Sequence, residues 1–170
     1  QNAAYAAVSH RIDYVNAYNN NADNVAIFTG VAIVMNPKTG QVLVDIDLSL
    51  GDADVFLDTI PEYTLVDVAQ NVTRLDFALL KRSLTKHASG LYLLPRPVQI
   101  EDASLISPED LRRVIGLLKA TFSHVIIDLS KAYNAIDLVA LEVANHALLV
   151  TQLDLPCLRN VVRLMMSLGQ

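Results

Sequence analysis

Residues 42–52 read VLVDIDLSLGD, and this stretch decides the fold class. It opens with the apolar run Val42–Val44, which is typical of a strand buried on both faces rather than one that alternates between core and solvent. Strands of that kind occur in parallel sheets covered by helices on either side. Asp45 and Asp47 follow at once, and ligands of open parallel sheets bind outside the carboxyl ends of the strands. These two aspartates are therefore candidate site residues.

Outward from this stretch, short apolar segments alternate with longer segments of helical periodicity. The alternation predicts a three-layer α/β fold, in which right-handed crossovers join a mostly parallel sheet that carries helices on both faces. Ser107, as the N-cap before Pro108 and two acidic residues, is a typical helix start. The predicted strands are 25–28, 41–44, 91–94, 124–127 and 147–151, and the predicted helices are 64–69, 76–84, 108–121, 135–144 and 155–168.

The chain divides into an N-terminal segment or linker, residues 1–24, and an α/β domain, residues 25–170. Within the first part, residues 3–18 have apolar side chains spaced for one face of a helix, and an Asn-rich turn follows them. Early in the second part, the apolar run 31–35 ends in a turn that contains Pro and Gly.

The composition excludes several classes of protein. Its 170 residues suffice for one domain, and a sheet covered on both faces accounts for the 52% of residues that are hydrophobic. No apolar stretch approaches the ~18 residues that a membrane span needs, and no secretion signal opens the chain. The sole cysteine, Cys157, excludes an internal disulfide and suits a reducing cytosol. The net charge of −5 argues against direct nucleic-acid binding, since phosphate contacts need clustered Lys and Arg.

Polar side chains follow three of the predicted strands. Asp45 and Asp47 follow the second strand, Asp128 follows the fourth, and Thr151 with Gln152 stands at the end of the fifth. Carboxylates at neighbouring strand ends can hold Mg²⁺, usually through its waters, and can orient an attacking water. An Asp after a strand is also a common turn residue or helix cap. The ordered set favours a site, although each member alone favours a turn.

Five segments carry a resemblance to a known family. They are 42–52, 64–68 (TLVDV), 89–95 (SGLYLLP), 125–128 (VIID) and 148–160 (LLVTQLDLPCLRN). Read in order and with natural spacing, these segments resemble the MinD/ParA-like P-loop ATPases, most closely the CpaE/TadZ pilus-assembly branch. The first is similar to the family segment VLLVDLDLxxGD, and the fourth matches its Walker B strand.

The resemblance implies ATP and Mg²⁺ as ligands and assigns roles to the aspartates. Asp47 would be the switch-I carboxylate that positions the hydrolytic water. Asp45, the neighbour of Asp47, would lie near the metal shell and the nucleotide, and Asp128 would be the Walker B aspartate at the metal. Gly51 and Asp52 would belong to the mobile segment that responds to the γ-phosphate.

The family's phosphate-binding loop has no counterpart in this sequence. Gly30 ends the first strand as an entry to that loop, but Val31 reads like the end of the helix that should follow it. A parallel crossover needs about a dozen residues or more, so we expect a segment to be missing between the two residues. Three explanations are open: the protein has the loop although this sequence omits it, the loop has been deleted, or the protein is a degenerate member that never binds nucleotide. We favour the first. Two smaller departures are Ser130 and Lys131, where relatives have a Pro, and an end at Gln170, where relatives continue.

The function implied by the resemblance is ATP-dependent organisation of type IV/Flp (Tad) pilus assembly, with slow hydrolysis. It implies a homodimer, pilus-assembly proteins at the inner membrane as partners, and a cytoplasmic protein that attaches at the inner membrane or cell pole. Two alternatives stay open: a non-enzymatic pseudo-ATPase scaffold, and a division-site or partition ATPase of the same superfamily.

The last predicted helix carries an apolar stripe, which we expect to pack in the core. Arg159 and Arg163 lie on its opposite face, where they suit a partner surface. Cys157, near the start of the helix, has no predicted base beside it and is interpreted as a packing residue. The stripe consists of Leu155, Leu158, Val161, Val162, Met165 and Met166.

Overall fold

The computed structural model describes residues 25–28, 40–152 and 154–168. Predictions for residues 1–24, for the apolar run 31–35 and for the junction at Gly30 lie outside these ranges. Short 3₁₀ turns occupy Val72–Arg74 and Ile100–Leu105. The strands are β1 (Val25–Phe28), β2 (Gln41–Asp45), β3 (Thr85–Lys86), β4 (Tyr92–Leu94), β5 (His124–Asp128) and β6 (His146–Leu148), and the helices are α1 (Ala53–Phe56), α2 (Leu65–Gln70), α3 (Phe77–Arg82), α4 (Pro108–Thr121), α5 (Ala135–Val143) and α6 (Leu155–Leu168).

The described strands form one sheet in the order β3-β4-β2-β5-β1-β6. Five of them run parallel, and β3 at one edge is antiparallel to β4. The predicted class, an α/β fold with a mostly parallel sheet, is therefore confirmed. β2, β5 and β1 lie side by side at the centre, so the carboxyl ends of these three strands meet at one edge.

The two faces of the sheet bury different side chains of the same strand. Val42 and Val44 of β2 belong to the larger core cluster, which contains Leu65 of α2 and Leu118 of α4. Leu43, which lies between the two valines, belongs to a smaller cluster with α1. Because successive side chains of a strand point to opposite faces, the unbroken apolar run supplies both layers.

Side-chain caps fix where the helices begin. Ser107 caps α4 as expected, since its Oγ accepts from the Asp110 N–H at 3.1 Å. Asp76, predicted as the first helical residue, is instead the N-cap of α3, and its Oδ1 accepts from the Leu79 N–H at 2.7 Å. The helix predicted over 64–69 starts one residue later, because Thr64 is the N-cap of α2 and the Asp67 carboxylate accepts from its N–H at 2.7 Å.

The helix α6 corrects one expectation, because its predicted core stripe faces outward except at Val161. Leu155 is 84% exposed and Met166 is 68% exposed, whereas the less exposed side is formed by Cys157, Val161 and Leu164. Those three residues are spaced at i, i+4 and i+7, which is a helix face rotated from the predicted one. The helical spacing of the apolar residues is present as predicted. Because β6 is the edge strand of the described sheet, no described residues cover the outward-facing part of the stripe.

Candidate functional site

Two carboxylates meet at the centre of the carboxyl edge of the sheet. Asp45, the last residue of β2, is the register partner of Asp128, the last residue of β5. Asp128 is also in register with Phe28 at the end of β1. The Ile46 N–H continues the ladder by donating to the Asp128 carbonyl at 2.9 Å. The expectation that the aspartates of these two strands share one edge is confirmed, and their chemical role stays a prediction.

A tight turn, residues 45–53, is built on the Asp45 carboxylate. This side chain is fully buried. Its Oδ1 accepts from the Asp47 N–H at 3.1 Å, and its Oδ2 accepts from the Ala53 N–H at 3.3 Å. Gly51 lies directly against the carboxylate, and a Cβ at this position would overlap both carboxylate oxygens. The turn therefore requires a glycine at position 51.

Asp47 organises the middle of the same turn. Its Oδ1 accepts from the Leu50 N–H at 3.1 Å and from the Ser49 N–H at 3.4 Å. Its carbonyl accepts from the Gly51 N–H at 2.9 Å. The Asp47 carboxylate is thus held by backbone donors while it stays partly open to solvent.

Burial and nearby negative charge raise the pKa of both strand-end carboxyls. Burial raises the pKa of Asp45 from 3.8 to about 6, against the opposing effect of backbone hydrogen bonds from Ala53 and Asp47. Burial, and then the charges of Asp45 and Asp47, raise the pKa of Asp128 to about 7. Several carboxyl groups thus lie close together where solvent is partly excluded, and a bound cation would stabilise their ionised forms.

The remaining predicted residues divide into those near this edge and those apart from it. Asp52 is exposed at the start of α1, and it makes no side-chain cap. Thr151 and Gln152 do not directly follow a strand, because β6 ends at Leu148; the expectation that they stand at a strand end is therefore wrong. Gly30 lies outside the described residues.

Sequence reasoning missed two features beside the carboxylates. The guanidinium of Arg96, after β4, donates through Nε to the Gly51 carbonyl, and its charge lowers the pKa of Asp45. After β5, the buried Asp137 accepts from the Ser130 N–H at 2.9 Å and from its Oγ at 2.6 Å. The capping box of Asn134 and Asp137 was a readable signal for the second feature.

The donor set suits a cation that keeps much of its water. The described residues contain no group of three His, Cys, Asp or Glu that could enclose a metal ion. Asp45 and Asp128 nonetheless supply hard oxygen ligands, and Mg²⁺ is bound by one or two carboxylates together with waters and substrate phosphates. The residues present therefore fit Mg²⁺ accompanied by a phosphate ligand.

Among the described helices, none has the length and apolar character required to span a bilayer.

Comparison with known proteins finds similar sequences and similar structures. No family model matches the chain. Over 123 residues it is 31% identical to the septum site-determining protein MinD of Thermotoga maritima, an alignment that covers 71% of this chain and 44% of that protein. A ParA family ATPase from Chlorobium tepidum superposes with a TM-score of 0.73 at 26% identity, covering 77% of this chain and 55% of the other. The MinD of Pyrococcus horikoshii, solved with Mg-ADP, superposes with a TM-score of 0.66 at 21% identity, covering 85% and 64%.

The sheet, its carboxylate edge and these similarities define an α/β protein of the P-loop NTPase class. The chain is homologous to the MinD/ParA family of P-loop ATPases. It spans somewhat less than half the length of the curated relatives that it matches.

Proposed function

We propose that the protein binds ATP with Mg²⁺ at the carboxyl edge of β1, β2 and β5 and hydrolyses it slowly to control a localised assembly. The observation that carries the proposal is the register of Asp45 with Asp128 on adjacent parallel strands. A structural pair of turn residues would not need a buried carboxyl beside a half-buried one, in surroundings that raise the pKa of each. Two neighbouring carboxylates of this kind can bind a magnesium ion that also binds a triphosphate.

The residues at the carboxyl edge of the sheet have different roles in this proposal. Asp128 and Asp45 would hold Mg²⁺, directly or through water, and the ion supplies positive charge for phosphoryl transfer. Asp47 is more open to solvent than Asp45, and it orients the attacking water. Gly51 and Asp52 carry the turn that responds to the γ-phosphate, and Gly30 would lead into the phosphate-binding loop that we expect in the complete protein.

The biological setting we propose is assembly of type IV/Flp pili. Support comes from segment 148–160, whose sequence resembles the CpaE/TadZ branch. In this setting the ATP-bound protein forms a homodimer in the cytoplasm, binds pilus-assembly proteins at the inner membrane or pole, and is released after hydrolysis. Division-site placement is the second candidate, which the similarity to septum site-determining proteins favours. Pilus counts and septum positions in a deletion strain separate these two settings.

The central experiment measures nucleotide binding and hydrolysis separately in the complete protein. A labelled ATP analogue is titrated with and without Mg²⁺, and phosphate release is followed with ATP. Asp128→Asn should weaken Mg²⁺-dependent binding because it acts on the metal shell. Asp47→Ala should retain binding and lose hydrolysis, since orienting a water affects the transition state more than the bound nucleotide.

Asp58→Asn is the matched control. Asp58 is exposed, and its positive φ of 47° is tolerated by Asn. It should leave both quantities unchanged. Absence of Mg²⁺-dependent ATP binding by the wild-type protein would refute the proposal and favour the non-enzymatic scaffold. Equal loss of affinity in the Asp47 and Asp128 variants would show that their roles are wrongly assigned.

A further inference from the structure

The segment after β4 carries a cation whose position the local backbone determines. Arg96 lies between Pro95 and Pro97, both of which are buried. Proline fixes its own φ and restricts the residue before it to extended conformations, so the backbone of Arg96 has little freedom. The Pro95 carbonyl also accepts from the Leu65 N–H at 2.8 Å, which ties the segment to the start of α2.

The Arg96 guanidinium makes two directed hydrogen bonds from this rigid base. Its Nη1 donates to the carbonyl of Pro97 at 2.8 Å, which folds the side chain back onto its own backbone. Its Nε donates to the Gly51 carbonyl, across a sequence separation of 45 residues. A planar guanidinium presents its donors in a fixed geometry. The bond from Nη1 to Pro97 therefore orients Nε toward the Gly51 carbonyl.

The Gly51 carbonyl is a sensitive place for such a bond. The Gly51 N–H donates to the Asp47 carbonyl, and Gly51 itself lies against the Asp45 carboxylate. Displacing Gly51 would therefore loosen both aspartates. The charge of Arg96 also acts favourably on ionised Asp45.

We propose that Arg96 is a positioning residue, which latches the 45–53 turn to the end of β4 and thereby sets the place of the Asp47 carboxylate during ATP hydrolysis. The hydrolytic part rests on the proposed function, whereas the latch itself does not. Arg96 acts through Gly51.

The latch is tested by amide hydrogen exchange of peptides covering residues 46–56 in the complete protein. Arg96→Ala should speed exchange there by about tenfold or more, because a charge-assisted hydrogen bond to the turn is lost. The thermal midpoint should fall by only a few degrees, and exchange in α4 should speed by no more than this loss of global stability allows. Arg96→Lys keeps the charge but lacks the guanidinium fork, so it should fall between wild type and Ala. Arg113→Ala is the control, because Arg113 is an exposed α4 arginine paired with Glu109.

The role in hydrolysis is tested by steady-state kinetics of the same variants. Arg96→Ala should lower kcat by about tenfold while KM for ATP changes by less than about twofold, since a misplaced water-orienting group affects chemistry more than binding. Unchanged exchange in both Arg96 variants overturns the latch. Faster exchange with unchanged kcat overturns the positioning role. A wild-type protein without ATPase activity refutes the proposed function instead, and the exchange data still decide the latch.

Discussion

Replacing Asp128 by Asn should stabilise the folded protein at neutral pH. The pKa of Asp128 is raised from 3.8 to about 7, so the folded state binds the proton more tightly than the unfolded state. Stability from this group is complete below pH ~4 and is lost as the pH rises through about 7. Asn cannot ionise and therefore avoids the loss.

The size of the effect follows from the pKa shift. A pKa unit corresponds to ~1.4 kcal/mol, so a shift of this size would give roughly 4 kcal/mol if all of it acted on folding. Solvent reaches Asp128 in part, so we expect about 1–2 kcal/mol at pH 8 after allowance for screening. At pH 5 the carboxyl is largely protonated in the folded state but ionised in the unfolded state, so the difference should fall to roughly 40% of its value at pH 8; it should vanish only below about pH 4.

The assay is urea unfolding of both proteins between pH 5 and 8, in EDTA and without nucleotide. EDTA is needed because a bound cation would favour the ionised carboxylate and reverse the trend. Asp58→Asn should show no pH-dependent difference from wild type. A stability difference for Asp128→Asn that is independent of pH, or that grows toward pH 5, would contradict the reasoning.

Three further predictions concern other parts of the fold. Gly51→Ala should push the Asp45 carboxylate off its backbone donors and destabilise the protein by about 1–3 kcal/mol in urea unfolding. Asp137→Asn places an NH₂ group against the hydrogen-bond donors of Ser130 and Asn134, and it should lower the free energy of unfolding by a similar ~1–3 kcal/mol. An unchanged free energy of unfolding would show that the loop after β5 can rearrange. The thiol of Cys157 should react slowly with iodoacetamide, because its hydrogen bond to the Asp154 carboxylate raises its pKa; Asp154→Asn should speed the reaction, which mass spectrometry can follow.

Most of the candidate site could be predicted because its signal is local. Asp45 and Asp128 each end a short apolar run, and parallel strands bring such ends to one edge. Arg96 was missed because its partner, the Gly51 carbonyl, is 45 residues away and has no side-chain signature. Thr151 was misplaced because a run of apolar residues does not show where pairing with a neighbouring strand stops.

The sequence by itself determined the class of fold, the starts of the five predicted helices to within one residue and the carboxylates at the strand ends, since apolar periodicity and capping act over a few residues. The tertiary structure alone decided the strand order, which places β5 between β2 and β1 and so pairs Asp45 with Asp128. It also decided which face of α6 is the less exposed. Periodicity predicts that a helix has an apolar face, but burial depends on whether another element lies against that face.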